Sequence, residues 1–205
     1  MAQADRFHAG TGGIFDVAVQ PLWDLYAGHF SRPDADPAGP PAAAIAAAVA
    51  RGGQHRMRLA SDRITLAPGM AVTLNAIAQG YVTDRVAELL RHRALGPWQV
   101  GLEDPAAPGR VAETIGLEDA AVATSGGHGT RFDAAGRFNH IFDPTDGRSS
   151  WRYGAVSVVV ADATTADALA IAFCLLTEER IAALARTCCV RVHLACRDGT
   201  RMALG

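Results

Sequence analysis

Asn139-His140-Ile141-Phe142-Asp143-Pro144, with Gly147 just after it, is the stretch on which the reading of this sequence turns. Residues 138–142 carry the apolar content of a short strand, and Asp143-Pro144-Thr145-Asp146-Gly147 has the composition of a tight turn. His140 stands on that strand, two residues after Phe138 and ahead of the Asp-Pro turn. Two roles are open to it there. It is a satisfied structural histidine, or, with a reference pKa of about 6.5, a general base.

The surrounding chain is that of a folded globular protein. It has 205 residues, 49% hydrophobic and 20% charged, with a formal net charge of −2. That length suits one domain, or two small lobes sharing a core. A core is affordable and global disorder is excluded. All 19 basic residues are arginine. No basic stripe interleaves with aromatics, so no nucleic-acid partner is expected. Cys174, Cys188, Cys189 and Cys196 form no Cys-x-x-Cys pair, which argues against zinc. Cys188, Cys189 and Cys196 fall in the last strand region, where buried free thiols are expected. Neither a transmembrane run nor a signal peptide is visible. Residues 1–10 show no strand and read like the interior of a longer chain.

Periodicity predicts the elements. Apolar positions across residues 14–28 have helical spacing, with Pro21 marking a first turn or kink. Residues 31–41 read as a surface loop. A short Ala-rich helix over 41–50 ends at Gly52-Gly53. Residues 55–60 and 63–67 read as a strand pair, and 70–74 as another short strand. The helix over 77–92 places Ile77, Tyr81, Val82, Val86, Leu89 and Leu90 on one face. Strands follow at about 98–103, 111–117, 120–124, 131–133, 138–142 and 156–161. A helix over 164–176 is expected to be capped by Thr164 or Thr165. Another spans 178–186, and a hairpin over 188–196 and 200–204 turns at Asp198-Gly199. Strands outnumber helices and hairpins dominate. The fold class is therefore α+β, a mostly antiparallel sheet with packed helices.

Asp167, near a helix start, is either an acid favoured by the helix dipole or a hard oxygen donor suited to Mg²⁺. Thr11-Gly12-Gly13 and Thr124-Ser125-Gly126-Gly127 could admit backbone N–H groups close to a phosphate. Gly80, inside a helix, costs about 1 kcal/mol against Ala, which points to close packing or ligand approach there.

The order of these pieces resembles the ApbE family of flavin transferases. Thr11-Gly12-Gly13-Ile14-Phe15-Asp16 is similar to the family's Gly-Gly-Ala-Phe-Asp segment. Residues 74–84 resemble Gly-Ile-Ala-Lys-Gly-Tyr-Ala-x-Asp, and Ala121–Gly126 resembles Ala-x-Ala-Thr-Ser-Gly. Asn139–Gly147 is similar to Ser-His-Ile-Ile-Asp-Pro-x-x-Gly, and Thr165–Ala170 to Thr-Ala-Asp-Ala-Leu-Ala. The likeness runs from about Thr11 to Ala172.

That resemblance implies a single ApbE-like domain over residues 1–205, shortened at its N-terminus. It implies transfer of FMN from FAD to a threonine of an acceptor protein, with Mg²⁺ on the FAD pyrophosphate. FAD would touch Ile14, Phe15, Asp16, the backbone near Thr73, Gln79, and the His140-Ile141 region. Mg²⁺ would be held by the Ala76 carbonyl and Asp167, and His140 matches a histidine of the transfer step. Four departures accompany the match. Ile171 stands where the family has a metal-binding Thr, Gln79 replaces Lys, and Thr73 replaces Asp. A core strand expected after the helix is also missing where Arg91–Gly96 runs into Pro97. A degenerate flavin- or partner-binding protein without transferase activity is the alternative. The missing signal suggests a cytoplasmic home and the resemblance an exported one, so localisation stays open.

Overall fold

Strand β6, Tyr153–Val160, is apolar at nearly every position, and it lies inside a sheet rather than at its edge. The computed structural model that shows this describes residues 1–90 and 97–205. These fall into two units, one of residues 1–74 and 127–151, the other of residues 75–126 and 152–205.

In the second unit, four strands form one antiparallel sheet in the order β5 (Ala121–Ser125), β6, β7 (Arg191–Cys196), β8 (Arg201–Leu204). Helix α5, Ala163–Phe173, packs on it and is buried on almost all sides. An Ala-rich helix can be enclosed this way because it needs little room and bears few polar groups. Helix α4, Ala78–Leu90, packs on α5. Strands β3 (Trp98–Glu103) and β4 (Val111–Leu117) form a separate antiparallel ribbon, with Leu102, Ile115 and Leu117 clustered on Val159. Helix α6, Glu178–Cys188, precedes the β7–β8 hairpin.

The first unit begins with α1 (Ala2–Gly10), then a 3₁₀ turn (Val17–Val19), α2 (Gln20–Phe30) and α3 (Ala42–Arg51). A minimal ribbon, β1 (Arg58–Leu59) with β2 (Ile64–Thr65), follows. Its core gathers Leu22, Tyr26, Ala48 and Phe142, flanked by Phe132 and Phe138. The Tyr26 ring lies 5.0 Å from Phe142, and its hydroxyl donates to the Gly147 carbonyl at 3.1 Å. Gly147 has φ +73°, and a Cβ there would stand 2.6 Å from Ile45 and 2.9 Å from Leu22. Only glycine lets this turn sit on α2 and α3.

The α+β class, the main helices and the closing hairpin follow the sequence. Several details do not. Residues 131–133 and 138–142 make only isolated bridges, Arg131 with Asn139 and Phe142 with Ser149. Their phenylalanines join the aromatic cluster around Tyr26 instead of alternating across a sheet. Residues 70–74 form no strand, and the first strand shrinks to two residues because 54–56 make a 3₁₀ turn. Residues 2–10, in which no strand is expected, form a helix that the sequence reading does not assign. Helix α5 is capped by Asp162, whose carboxylate accepts the Thr165 amide at 2.8 Å, and not by a threonine. Cys174 is buried, which drives its thiol pKa up to about 12, whereas Cys188 and Cys189 are exposed at the end of α6. The largest difference concerns α4. Of its expected core face only Ile77, just before the helix, is buried, while Tyr81, Val82, Val86, Leu89 and Leu90 are exposed. The end of that predicted helix and the expectation of a missing strand after it lie outside the described residues.

Candidate functional site

Helices α4 and α5 meet through a glycine and two aspartates. A Cβ on Gly80 would run into the Ala163 carbonyl oxygen and stand 2.8 Å from the Asp167 Cβ. The Gly80 amide, which in a regular helix would close onto the Ala76 carbonyl, donates to Asp167 Oδ2 at 2.9 Å. One turn along, Asp84 accepts the Ala163 amide at 2.7 Å and the Thr164 amide at 2.8 Å. The Thr164 hydroxyl also donates to Asp84. The first-turn amides of α5 that lack intrahelical partners thus find acceptors in Asp84 and Asp162. Close packing is the reason for Gly80, one of the two explanations its sequence position left open.

Asp167 is half-buried. Burial raises its carboxyl pKa above the ordinary value, and the Gly80 amide opposes that rise. Its Oδ1 takes no hydrogen bond among the described residues. Asp84 behaves oppositely. Burial would raise it, but the hydrogen bonds from Thr164 and the Ala163 and Thr164 amides hold it below the usual carboxylate range. Ile171 follows Asp167 by one turn of α5 and is half-buried, as is Ala76. Gln79 is exposed, and its carbonyl accepts the Thr83 hydroxyl at 2.9 Å.

No group of three or more His, Cys, Asp or Glu side chains suited to a metal occurs among the described residues. Of the metal ligands that the resemblance implies, Asp167 offers one open carboxylate oxygen and Ala76 a main-chain carbonyl. That set does not make a resident all-protein cage. It does fit Mg²⁺ arriving with a dinucleotide, since this ion keeps waters and uses one or two carboxylates plus substrate phosphates. Ile171 adds no donor.

In the first unit, the segment 11–16 is fixed from within. The Thr11 hydroxyl donates to the Phe7 carbonyl at 2.8 Å and accepts the Phe15 amide at 2.9 Å. The His8 ring donates to the Phe15 carbonyl at 2.8 Å. The Phe15 side chain is buried against Phe7, with ring centroids 5.8 Å apart. Asp16 Oδ1 accepts the Ala18 amide at 2.7 Å and Oδ2 the Gln54 amide at 2.8 Å. Ile14 is half-buried beside them. The Thr73 amide donates to the Val17 carbonyl at 2.8 Å, which ties residues 70–74 to the same segment.

His140 belongs to this unit too. Its amide and its ring Nδ1 both donate to the Thr130 carbonyl, at 3.2 and 3.3 Å. A proton on Nδ1 leaves Nε2 as the acceptor nitrogen. Burial lowers the ring pKa below its ordinary value, Thr130 opposes this, and His128 adds to it. The neutral ring prevails at pH 7. Ile141 is buried in the core. Asn139, fully buried, orients the segment: its Nδ2 donates to the Ser150 carbonyl at 2.8 Å, and its Oδ1 accepts the Ile141 amide at 3.1 Å.

The sequence profile of the ApbE family matches residues 1–194. This chain belongs to the ApbE family. The match starts at the first residue, so it reaches further than the blocks from Thr11 onward suggest. A Vibrio cholerae relative named FAD:protein FMN transferase is 33% identical over 210 residues, covering 89% of this chain and 61% of the relative. One of the same name from Haemophilus influenzae is 30% identical over 227 residues, covering 96% and 65%. The chain thus spans about three fifths of the length of the curated relatives it matches. The crystallised flavin transferase ApbE of Vibrio cholerae covers 100% of this chain at a TM-score of 0.80 and 28% identity, with 73% of that chain matched. The ApbE protein of Thermotoga maritima has a TM-score of 0.87 over 99% of this chain and 74% of its own, at 24% identity, a likeness of fold alone.

Sequence reasoning missed Asp84, Asp162 and Asn139 as structural determinants. For Asp84 a signal existed. A glycine and an aspartate four residues apart share a helix face, and this small, polar stripe is the one that meets α5.

Proposed function

We propose that this chain carries out, in its ApbE family context, Mg²⁺-dependent transfer of FMN from FAD to a threonine of an acceptor protein. The observation that carries the reading is Asp167: one carboxylate oxygen is held by the Gly80 amide and the other is left open. Supporting it are the family membership and the name FAD:protein FMN transferase borne by the relatives.

In this reaction the acceptor threonine Oγ attacks the FMN phosphorus. A new P–O bond to the threonine forms, the pyrophosphate P–O bond breaks, and AMP leaves with the bridging oxygen. Bound Mg²⁺ would supply neutralisation of the charge that develops on the phosphoryl oxygens. Asp167 Oδ1 and the Ala76 carbonyl are the groups of this chain that would hold it. His140 Nε2 is the proton acceptor for the threonine hydroxyl, kept neutral at pH 7 by burial. The segment 14–16, the main chain at Thr73, Gln79 and the His140-Ile141 region would bind the dinucleotide. Little covalent work falls to the protein, so positioning and electrostatics carry the rate. Residues 1–205 act in this reading as a single ApbE-like domain.

The test is incubation of the purified chain with FAD, Mg²⁺ and a threonine-bearing acceptor, following released AMP and protein-bound flavin fluorescence. Loss of both signals with EDTA is expected. AMP release insensitive to EDTA would overturn the metal requirement. Ile171 favours a second reading, a flavin binder without transfer, because an apolar side chain supplies no oxygen one turn from Asp167. Ile171→Thr separates the two. Raised Mg²⁺ affinity and turnover support the transferase, and FAD binding without AMP release in both forms supports the binder.

A further inference from the structure

We propose that Asp84 is a positioning residue for metal capture, holding the start of α5 so that the Gly80 amide grips one oxygen of Asp167 and frees the other. The metal in this statement rests on the FMN-transferase reading. The geometry does not.

Two helix faces meet here. Gly80 and Asp84 lie one turn apart on α4. Ala163, Thr164 and Asp167 lie within about one turn on α5. The pairs run antiparallel: Gly80 meets Asp167, and Asp84 meets Ala163 and Thr164. Asp84 makes three of these bonds, to two amides and a hydroxyl. Gly80 makes one, and it is the one that orients the Asp167 carboxylate.

At Gly80 the two helices touch almost backbone to backbone, because a Cβ there would overlap the Ala163 carbonyl. Such a contact has no side chain to take up a shift. A hydrogen bond of 2.9 Å weakens steeply with small displacements. The register of α5 against α4 therefore decides whether Asp167 is held. Asp162 caps α5 from its own chain segment and cannot set that register, since it moves with the helix. Among the described residues, Asp84 is the group on α4 that pins the α5 start.

A simple helix cap would make a different prediction. It would support stability and the Ala163 and Thr164 amides, and leave Gly80 and the metal untouched. Two measurements on the full chain separate these roles. In the first, amide hydrogen exchange without ligand is compared between the wild type and Asp84→Ala. Gly80 exchange at least about tenfold faster is expected, with the β5–β8 sheet still protected. In the second, flavin fluorescence gives the Mg²⁺ concentration for half-maximal FAD binding. A rise of about 10–100-fold is expected, as for residues supporting a metal ligand. FAD binding measured in EDTA should stay at the wild-type level.

Unchanged Gly80 exchange would overturn the proposal whatever happens to flavin binding. Faster exchange with an unaltered Mg²⁺ requirement would overturn its metal part, and so would an equal loss of FAD binding in EDTA. If Asp84→Ala does not fold, Asp84→Asn, which keeps one acceptor and loses the carboxylate's second, is judged by the same criteria. A wild type that binds no FAD with Mg²⁺ overturns the flavin reading instead, and Gly80 exchange then decides the role of Asp84 alone.

Discussion

Asp16 and Asp167 are two aspartates in motif positions, and they use their oxygens differently. Asp16 has a side chain only 3% exposed and gives one oxygen to the Ala18 amide and the other to the Gln54 amide. Asp167 gives one oxygen to Gly80 and keeps the second. Both are near the start of a helical segment, and both lie out of full solvent. What separates them is the number of internal donors within reach. A carboxylate saturated by backbone amides acts as a brace, so Asp16 shapes its segment and any ligand there meets the backbone it holds. A carboxylate with one oxygen in hand and one open is oriented and still able to coordinate.

The largest expected effect that tests this contrast is on Asp167→Asn. AMP release should fall by about 100-fold or more, because the open oxygen loses its charge. Stability should not fall with it. Burial raises the folded pKa of Asp167, so ionising it costs more in the folded chain than in the unfolded one, and a neutral side chain that still accepts from Gly80 removes that cost. A thermal midpoint well below wild type would show that Asp167 is a brace like Asp16.

Asp16→Ala should produce the reverse pattern. Loss of the cap and the orphaned Gln54 amide should cost about 2 kcal/mol in urea unfolding. The Mg²⁺ concentration for half-maximal FAD binding should stay unchanged. A shifted Mg²⁺ requirement with intact stability would erase the distinction.

The smallest expected effect concerns pH. The folded pKa of His140 lies below 6.5, so the ring loses its proton more readily than a free histidine and stays a base into mildly acidic solution. The acid limb of the rate of AMP release should have its midpoint below pH 6.5. A limb centred above 6.5 would assign it to another group.

Much of this was legible in the chain itself. The block around His140 and the Thr165–Ala170 block pointed to the family, and the periodicities found the helices and the closing hairpin. The failures are instructive. The predicted core face of α4 rests on the assumption that apolar residues turn inward, yet Val82 and Leu89 are 57% and 81% exposed. The face that docks was chosen by Gly80, which has no side chain, and Asp84, which is charged. Residues 131–142 looked like strands because Phe132, Phe138 and Phe142 are β-formers by type. Their partners are Tyr26 and its neighbours on α2, not another strand.

The sequence alone determined the main helices, the closing hairpin and the family they compose, because spacing, caps and glycines act over a few residues. The tertiary structure alone decided which aspartate is a brace and which is open, and which side of α4 has a partner. Those outcomes hang on donors distant in sequence, 87 residues away for Asp167 and 79 for Asp84. Hydrogen-bond geometry at that separation is set by how the elements pack.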